Sequence, residues 1–172
     1  MALKSEGDFI AALTDFVENY NKFSKEKWTL HKSNNGIFAK QSVMIKWREI
    51  VVNRQVHITY SSVYGVPSLW FNIYRRDGIP LTADESLELS KHVNNNGFLK
   101  NMTQNEHPYL GLLFYNIHPC RTEKVMEQLS GTGNFIAKWL SVYGAPIGVE
   151  VPLEMFNQLQ SDSSKTDEKI EA

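Results

Sequence analysis

The 172-residue chain holds one cysteine, six prolines and almost no net charge. A single thiol forms no internal disulfide and supplies no multi-cysteine zinc site. Lys plus Arg number 18 and Asp plus Glu 19, a net charge of -1. No strong field therefore directs the chain to nucleic acid or to an anionic membrane, and a protein partner fits better. No apolar run approaches the ~20 residues that span a bilayer, and the opening MALKSEGDF lacks the apolar core of a signal peptide. The expectation is a cytosolic protein whose thiol stays reduced.

The composition, 42% hydrophobic and 12% aromatic, suits one globular domain that buries roughly two-thirds of the surface its unfolded chain would expose. Phe9, Ile10, Leu13, Phe16, Val17 and Tyr20 recur at helical spacing and predict an amphipathic first helix. WTLHKS (Trp28 to Ser33) reads as a strand and Asn34-Asn35-Gly36 as a hairpin turn. In the next strand Ile37, Ala39, Val43, Ile45 and Trp47 share one face, interrupted by Gln41; Lys40, Ser42 and Lys46 take a partly wet face. Two β-rich runs from Val56 onward, joined around Gly65 and Pro67, predict a second hairpin.

Thr82 with Glu85 three residues on is a capping box, opening a helix through about His92. Lys100 to His107 is polar and reads as a loop. After the aromatic run that follows, RTEKVMEQL predicts a short helix or turn, and Phe135, Ile136, Trp139, Leu140 and Tyr143 predict a helix stopped by Gly144 and Pro146. PLEMFNQLQ suggests a last helix. The fold class is α+β: an N-terminal helix, an antiparallel sheet of about four or more strands, and helices packed on one face. Residues 1–160 form the domain; residues 161–172, SDSSKTDEKIEA, have almost nothing to bury and read as a disordered tail.

The cysteine lies in FYNIHPCRTEKVM. If a strand runs from Leu110, one face carries Leu112, Phe114, Asn116, His118 and Cys120, turning from apolar to polar toward the sulfur. Pro119 removes a backbone donor and ends the pairing, which leaves Cys120 just past the sheet. Two readings stand at this point. Free cysteine is usually a small buried hydrophobe, whereas a cytosolic cysteine beside His is also a candidate nucleophile. Zinc is disfavoured, because His31, His57, His92 and His107 show no ligand spacing.

Four motifs in one order resemble the autophagy conjugating enzymes, relatives of the ubiquitin-conjugating enzymes. His118-Pro119-Cys120 after an aromatic strand is similar to that family's active-site signature. ITYSSVYGVPSLWF with DGIPLT resembles its tyrosine-serine hairpin and turn, EHPYLGLLFYNIHPC its catalytic strand, and FIAKWLSVYGAPIGVEVP its closing helix. The resemblance covers about Trp28 to Pro152 and implies that Cys120 carries a ubiquitin-like modifier as a glycyl thioester, with no cofactor. It implies autophagy-related protein 12 as modifier, autophagy-related protein 7 as activating enzyme, and a lysine of autophagy-related protein 5 as acceptor. The supporting donors expected near the sulfur are His118, Asn116 and the phenol of Tyr60. A sister branch, autophagy-related protein 3, carries the same HPC and modifies phosphatidylethanolamine. Its acidic insertion and membrane-sensing helix have no counterpart here, the first helix being acidic (Glu6, Asp8, Asp15, Glu18). The alternatives are that lipid-conjugating activity, or a non-catalytic binding module with an inert cysteine.

Overall fold

The computed structural model describes residues 3, 5–91, 102–128 and 133–157. Helix α1 (Glu6–Phe23) starts where the Ser5 hydroxyl accepts the Asp8 N–H at 3.1 Å, with Glu6 and Asp8 favourably placed in its first turn. Its predicted stripe is the buried one: Phe9, Leu13, Phe16, Val17 and Tyr20.

Six strands follow: β1 (Trp28–Ser33), β2 (Gly36–Trp47), β3 (Ile50–Ser61), β4 (Val66–Tyr74), β5 (Met102–Glu106) and β6 (Leu113–Ile117). They form one sheet in the order β1-β2-β3-β4-β6-β5, every pair antiparallel. Helix α2 (Ala83–Lys91) leads from β4 toward β5, and the capping box is present: Thr82 N–H donates to Glu85 Oε2 at 2.9 Å and Glu85 N–H to Thr82 Oγ1 at 3.3 Å. His92, where that helix was expected to end, lies outside the described residues, as does the tail 161–172.

After β6 a 3₁₀ turn (Pro119–Arg121) runs into α3 (Thr122–Gln128). Then come α4 (Phe135–Tyr143), a second 3₁₀ turn (Ala145–Ile147) and α5 (Glu154–Asn157). Asn134 caps α4 and also donates to Ala12 O and Asp15 Oδ2, both at 2.8 Å, which joins α4 to α1. At Gly144 a Cβ would stand 2.7 Å from Leu140 O and 2.9 Å from Val149 Cβ, so only glycine lets the chain turn there.

One face of the sheet packs on α1 and α4, with Trp28, Ala39, Val56, Ile58, Leu69, Phe71, Tyr115 and Ile117 in a continuous core with Phe9, Leu13, Trp139 and Leu140. Gln41, the break in the β2 pattern, is buried there because it has partners. It accepts from Arg54 Nη2 and donates to Tyr20 Oη, both at 3.4 Å. Arg54, itself buried, donates to Ile147 O at 3.0 Å and to Gly148 O, and pairs with Glu26 at 3.5 Å. Burial pulls its pKa down, and Glu26 works against that shift.

Four features depart from the sequence expectation. Lys100 to His107, read as a loop, contains β5, a polar strand (MTQNE) on the sheet edge whose exposed side chains leave no alternation to detect. β3 begins at Ile50, not Val56; the β2–β3 turn is Arg48-Glu49, with Arg48 in the left-handed region at φ 51° and no glycine or asparagine to announce it. The face of β2 expected to be partly wet is exposed at Ser42, Met44 and Lys46, but Phe38 is buried in a second layer. There the β5–β6 connection folds back over Phe38, His57, Trp70 and Phe114. The strand expected from Leu110 begins at Leu113 and ends at Ile117, before His118 and Cys120.

Candidate active site

β6 ends where the chain chemistry requires. Pro119 has no N–H to offer the ladder, and His118 before it is extended (φ −59°, ψ 127°), as a residue preceding proline prefers. The chain then tightens into the 3₁₀ turn, where Thr122 N–H donates to Pro119 O. Cys120 is the middle residue of that turn, free and exposed.

His118 is exposed as well, yet it has two partners. Its Nδ1 accepts the Cys120 backbone N–H at 3.2 Å, and its Nε2 lies 3.4 Å from the Tyr64 hydroxyl. The two rings meet edge to face, centroids 5.3 Å apart. A backbone N–H can only donate, so Nδ1 is the acceptor and neutral His118 carries its proton on Nε2. That proton points to Tyr64 Oη, which leaves the phenol hydrogen of Tyr64 free for another acceptor. The order is Cys120 N–H to His118, His118 N–H to Tyr64.

Tyr64 comes from the β3–β4 turn, residues 62–65, closed by Gly65 N–H to Ser61 O at 2.8 Å with Gly65 at φ 65°. The sequence reading missed it. Its signal was present in the quoted hairpin, where a second tyrosine stands four residues after Tyr60 and just before the glycine.

The other expected donors are placed differently. Asn116 is only 4% exposed, and its side-chain amide donates to Ser68 Oγ at 2.9 Å and Leu69 O at 3.0 Å. Both N–H groups are spent on β4, so Asn116 fastens β6 to its neighbour and presents no donor to the surface. Tyr60 is on the helix-facing side of β3, two residues from Ile58, and its ring leans on Phe9 at 5.3 Å. Asn116 points to the opposite face, level with Trp70. Of the three expected donors, the structure joins His118 alone to Cys120 by a hydrogen bond. Among the described residues no group of three or more His, Cys, Asp or Glu side chains is placed to hold a metal ion, and no helix is long and apolar enough to cross a membrane.

A helix leading into an antiparallel sheet, with a cysteine exposed in the turn after the strand next to the sheet edge and helices closing behind it, is a ubiquitin-conjugating-enzyme-like domain. The chain belongs to the autophagocytosis-associated protein family, whose active-site domain matches residues 39–154. It is similar to the ubiquitin-like-conjugating enzyme ATG10 of Homo sapiens, 32% identical over 123 residues that cover 65% of this chain and 56% of the human protein. The ATG10 of Arabidopsis thaliana is 35% identical over 115 residues, covering 59% of this chain and 51% of that protein. The chain thus spans about half the length of these relatives. The solution structures of KmAtg10 share the fold, with a TM-score of 0.55 at 21% identity, covering 88% of this chain and 98% of that one.

Proposed function

We propose that this domain is an autophagy conjugating enzyme that receives a ubiquitin-like modifier as a thioester on Cys120 and transfers it to a lysine amine. The observation that carries the reading is the exposed Cys120, in the turn directly after β6, with its amide capped by His118. In the first step the Cys120 thiolate attacks the thioester carbonyl on the activating enzyme, and that enzyme's thiolate leaves. One thioester replaces another, so the step needs mainly an accessible sulfur. In the second step a lysine amine attacks the carbonyl on Cys120. The C–S bond breaks, the thiolate leaves, and the amine proton passes to base or solvent as the isopeptide bond forms.

The second step is the harder one, since a lysine of pKa ~10.4 must be deprotonated and a tetrahedral oxyanion stabilised. His118 fixes the turn that carries the sulfur, and the free phenol hydrogen of Tyr64 is the donor the hydrogen-bond order leaves available. Similarity to the ATG10 proteins supports autophagy-related protein 12 as modifier, autophagy-related protein 7 as activating enzyme and autophagy-related protein 5 as acceptor. A second reading, transfer to a lipid amine, draws on 35% identity over 74 residues to autophagy-related protein 3 of Dictyostelium discoideum, which covers 43% of this chain. Whether the product is a protein conjugate or a modified lipid separates the two.

A single-turnover chase from preloaded enzyme tests the site. Tyr64→Phe is expected to load normally and to release to acceptor roughly a hundredfold more slowly, even at saturating acceptor. Tyr60→Phe in the same assay is expected to release at the normal rate. Normal release from Tyr64→Phe together with slow release from Tyr60→Phe overturns the assignment of the phenol.

A further inference from the structure

The second buried layer, on the face of the sheet away from the helices, contains two histidines that the proposed chemistry does not use. The β5–β6 connection, residues 107–112, lies across that face. His107 is buried among Phe38, Trp70, Phe114 and His57, with ring centroids 5.0–5.5 Å away. Tyr109 stacks on Phe38 at 5.5 Å, and its hydroxyl lies 3.0 Å from where a Cβ on Gly36 would be. The connection thereby touches the β1–β2 hairpin at one end and leads into β6, and so toward Cys120, at the other.

Hydrogen-bond polarity again decides the protonation states. Tyr109 N–H donates to His107 Nδ1 at 3.2 Å, so neutral His107 carries its proton on Nε2. That nitrogen is 3.1 Å from His57 Nδ1, which must accept, so His57 carries its proton on Nε2. His57 Nε2 is buried and has no acceptor among the described residues. Every basic site on the two rings is therefore already in use. A proton arriving at His57 Nδ1 would set two N–H groups against each other, and one arriving at His107 Nδ1 would evict the Tyr109 amide.

The surrounding charges do not compensate. Lys40 from β2 and His31 from β1 face His57 and disfavour a further positive charge. β4 and β6 contribute Trp70 and Phe114. Two carboxylates border the connection: Glu6 at the start of α1, which acts on the Tyr109 phenol, and Glu106, whose Oε1 lies 3.6 Å from where a Cβ on Gly111 would be. Neither is among the charges that shift His57 or His107. Burial first, then His107, Lys40 and His31, push the His57 pKa down to about 3, and burial alone pushes His107 down to about 4.

We propose that the His57–His107 pair is a proton-released latch: neutral, it clamps the β5–β6 connection onto the outer face of the sheet, and protonation frees the connection and uncovers Phe38, Trp70 and Phe114. The sign follows from linkage. Both groups have folded values below the ~6.5 of an exposed histidine, so opening takes up protons and is favoured as pH falls below ~6.5. Each imidazole raises the opening constant about 25-fold between pH 7 and pH 5, and the pair several-hundred-fold.

Amide hydrogen exchange of the full chain at pH 7 and pH 5, divided by the intrinsic exchange rate at each pH, reads this directly. The amides of Tyr109 and Gly111, which bond to His107, are expected to lose several-hundred-fold of protection, while those of Val56 and Ile58 in the central strand keep theirs. In His57→Gln an amide oxygen can still accept from His107 and one proton site is gone, so the loss is expected to shrink to about 25-fold. Flat protection across pH, or equal loss at Val56 and Ile58, overturns the latch. If His57→Gln does not fold, nitrogen NMR of the wild-type imidazoles decides: both rings neutral and protonated at Nε2 down to pH 5 supports it, and titration of either near 6.5 overturns it.

Discussion

Asn116→Ala separates a structural amide from a catalytic one. The wild-type side chain gives one N–H to Ser68 Oγ and one to Leu69 O, inside a sheet where it is 4% exposed. Each neutral bond contributes about 1 kcal/mol net, and a buried carbonyl that loses its donor costs about 1–3 kcal/mol. Both Ser68 Oγ and Leu69 O lose a donor; the hydroxyl can rotate and still donate elsewhere, whereas the carbonyl can only accept, so the substitution is expected to cost about 2–4 kcal/mol. For a chain of 172 residues each kcal/mol shifts Tm by about 2–4 °C, giving a fall of roughly 5–15 °C. Release of the modifier, followed in a single-turnover chase well below the new Tm, is expected to stay within a few fold of wild type. An oxyanion donor would give the opposite pair of results. An unchanged Tm with release slowed a hundredfold or more would refute the assignment of both Asn116 hydrogens to β4.

Arg54→Ala is expected to destabilise the fold by about 3–5 kcal/mol by chemical denaturation, because it strips the donor from Ile147 O and Gly148 O and leaves the buried Gln41 amide oxygen without its donor. A loss below 1 kcal/mol would mean that water replaces the guanidinium. Cys120→Ser is expected to melt within about 1 °C of wild type, since the side chain is exposed and the volumes are close. A fall of several degrees would show that the thiol is packed.

The elements whose signals are local were legible in the sequence. The α1 stripe, the Thr82–Glu85 box, the stop at Gly144 and the break at Pro119 each depend on residues a few positions apart. β5 was not legible, because an edge strand of polar residues is held by backbone bonds to β6 that leave no trace in its side chains. Nor was the outer layer. β3 and β4 bury both faces over much of their length, so alternation gives no inside and outside, and His57, Trp70 and Phe114 read as ordinary strand residues. At the site, the prominence of Cys120 and His118 came from the HPC motif. The commitment of Asn116 to β4 and the reach of Tyr64 to His118 depend on strand order and register, which place residues about 50 positions apart side by side.

The central claim is that Cys120 carries the modifier. The direct measurement is incubation with activating enzyme, ATP and modifier, then a gel run with and without reductant. The account predicts a shifted band that reductant removes, absent in Cys120→Ala and converted to a reductant-stable oxyester in Cys120→Ser. Transfer of the modifier to acceptor by Cys120→Ala at the wild-type rate would contradict it.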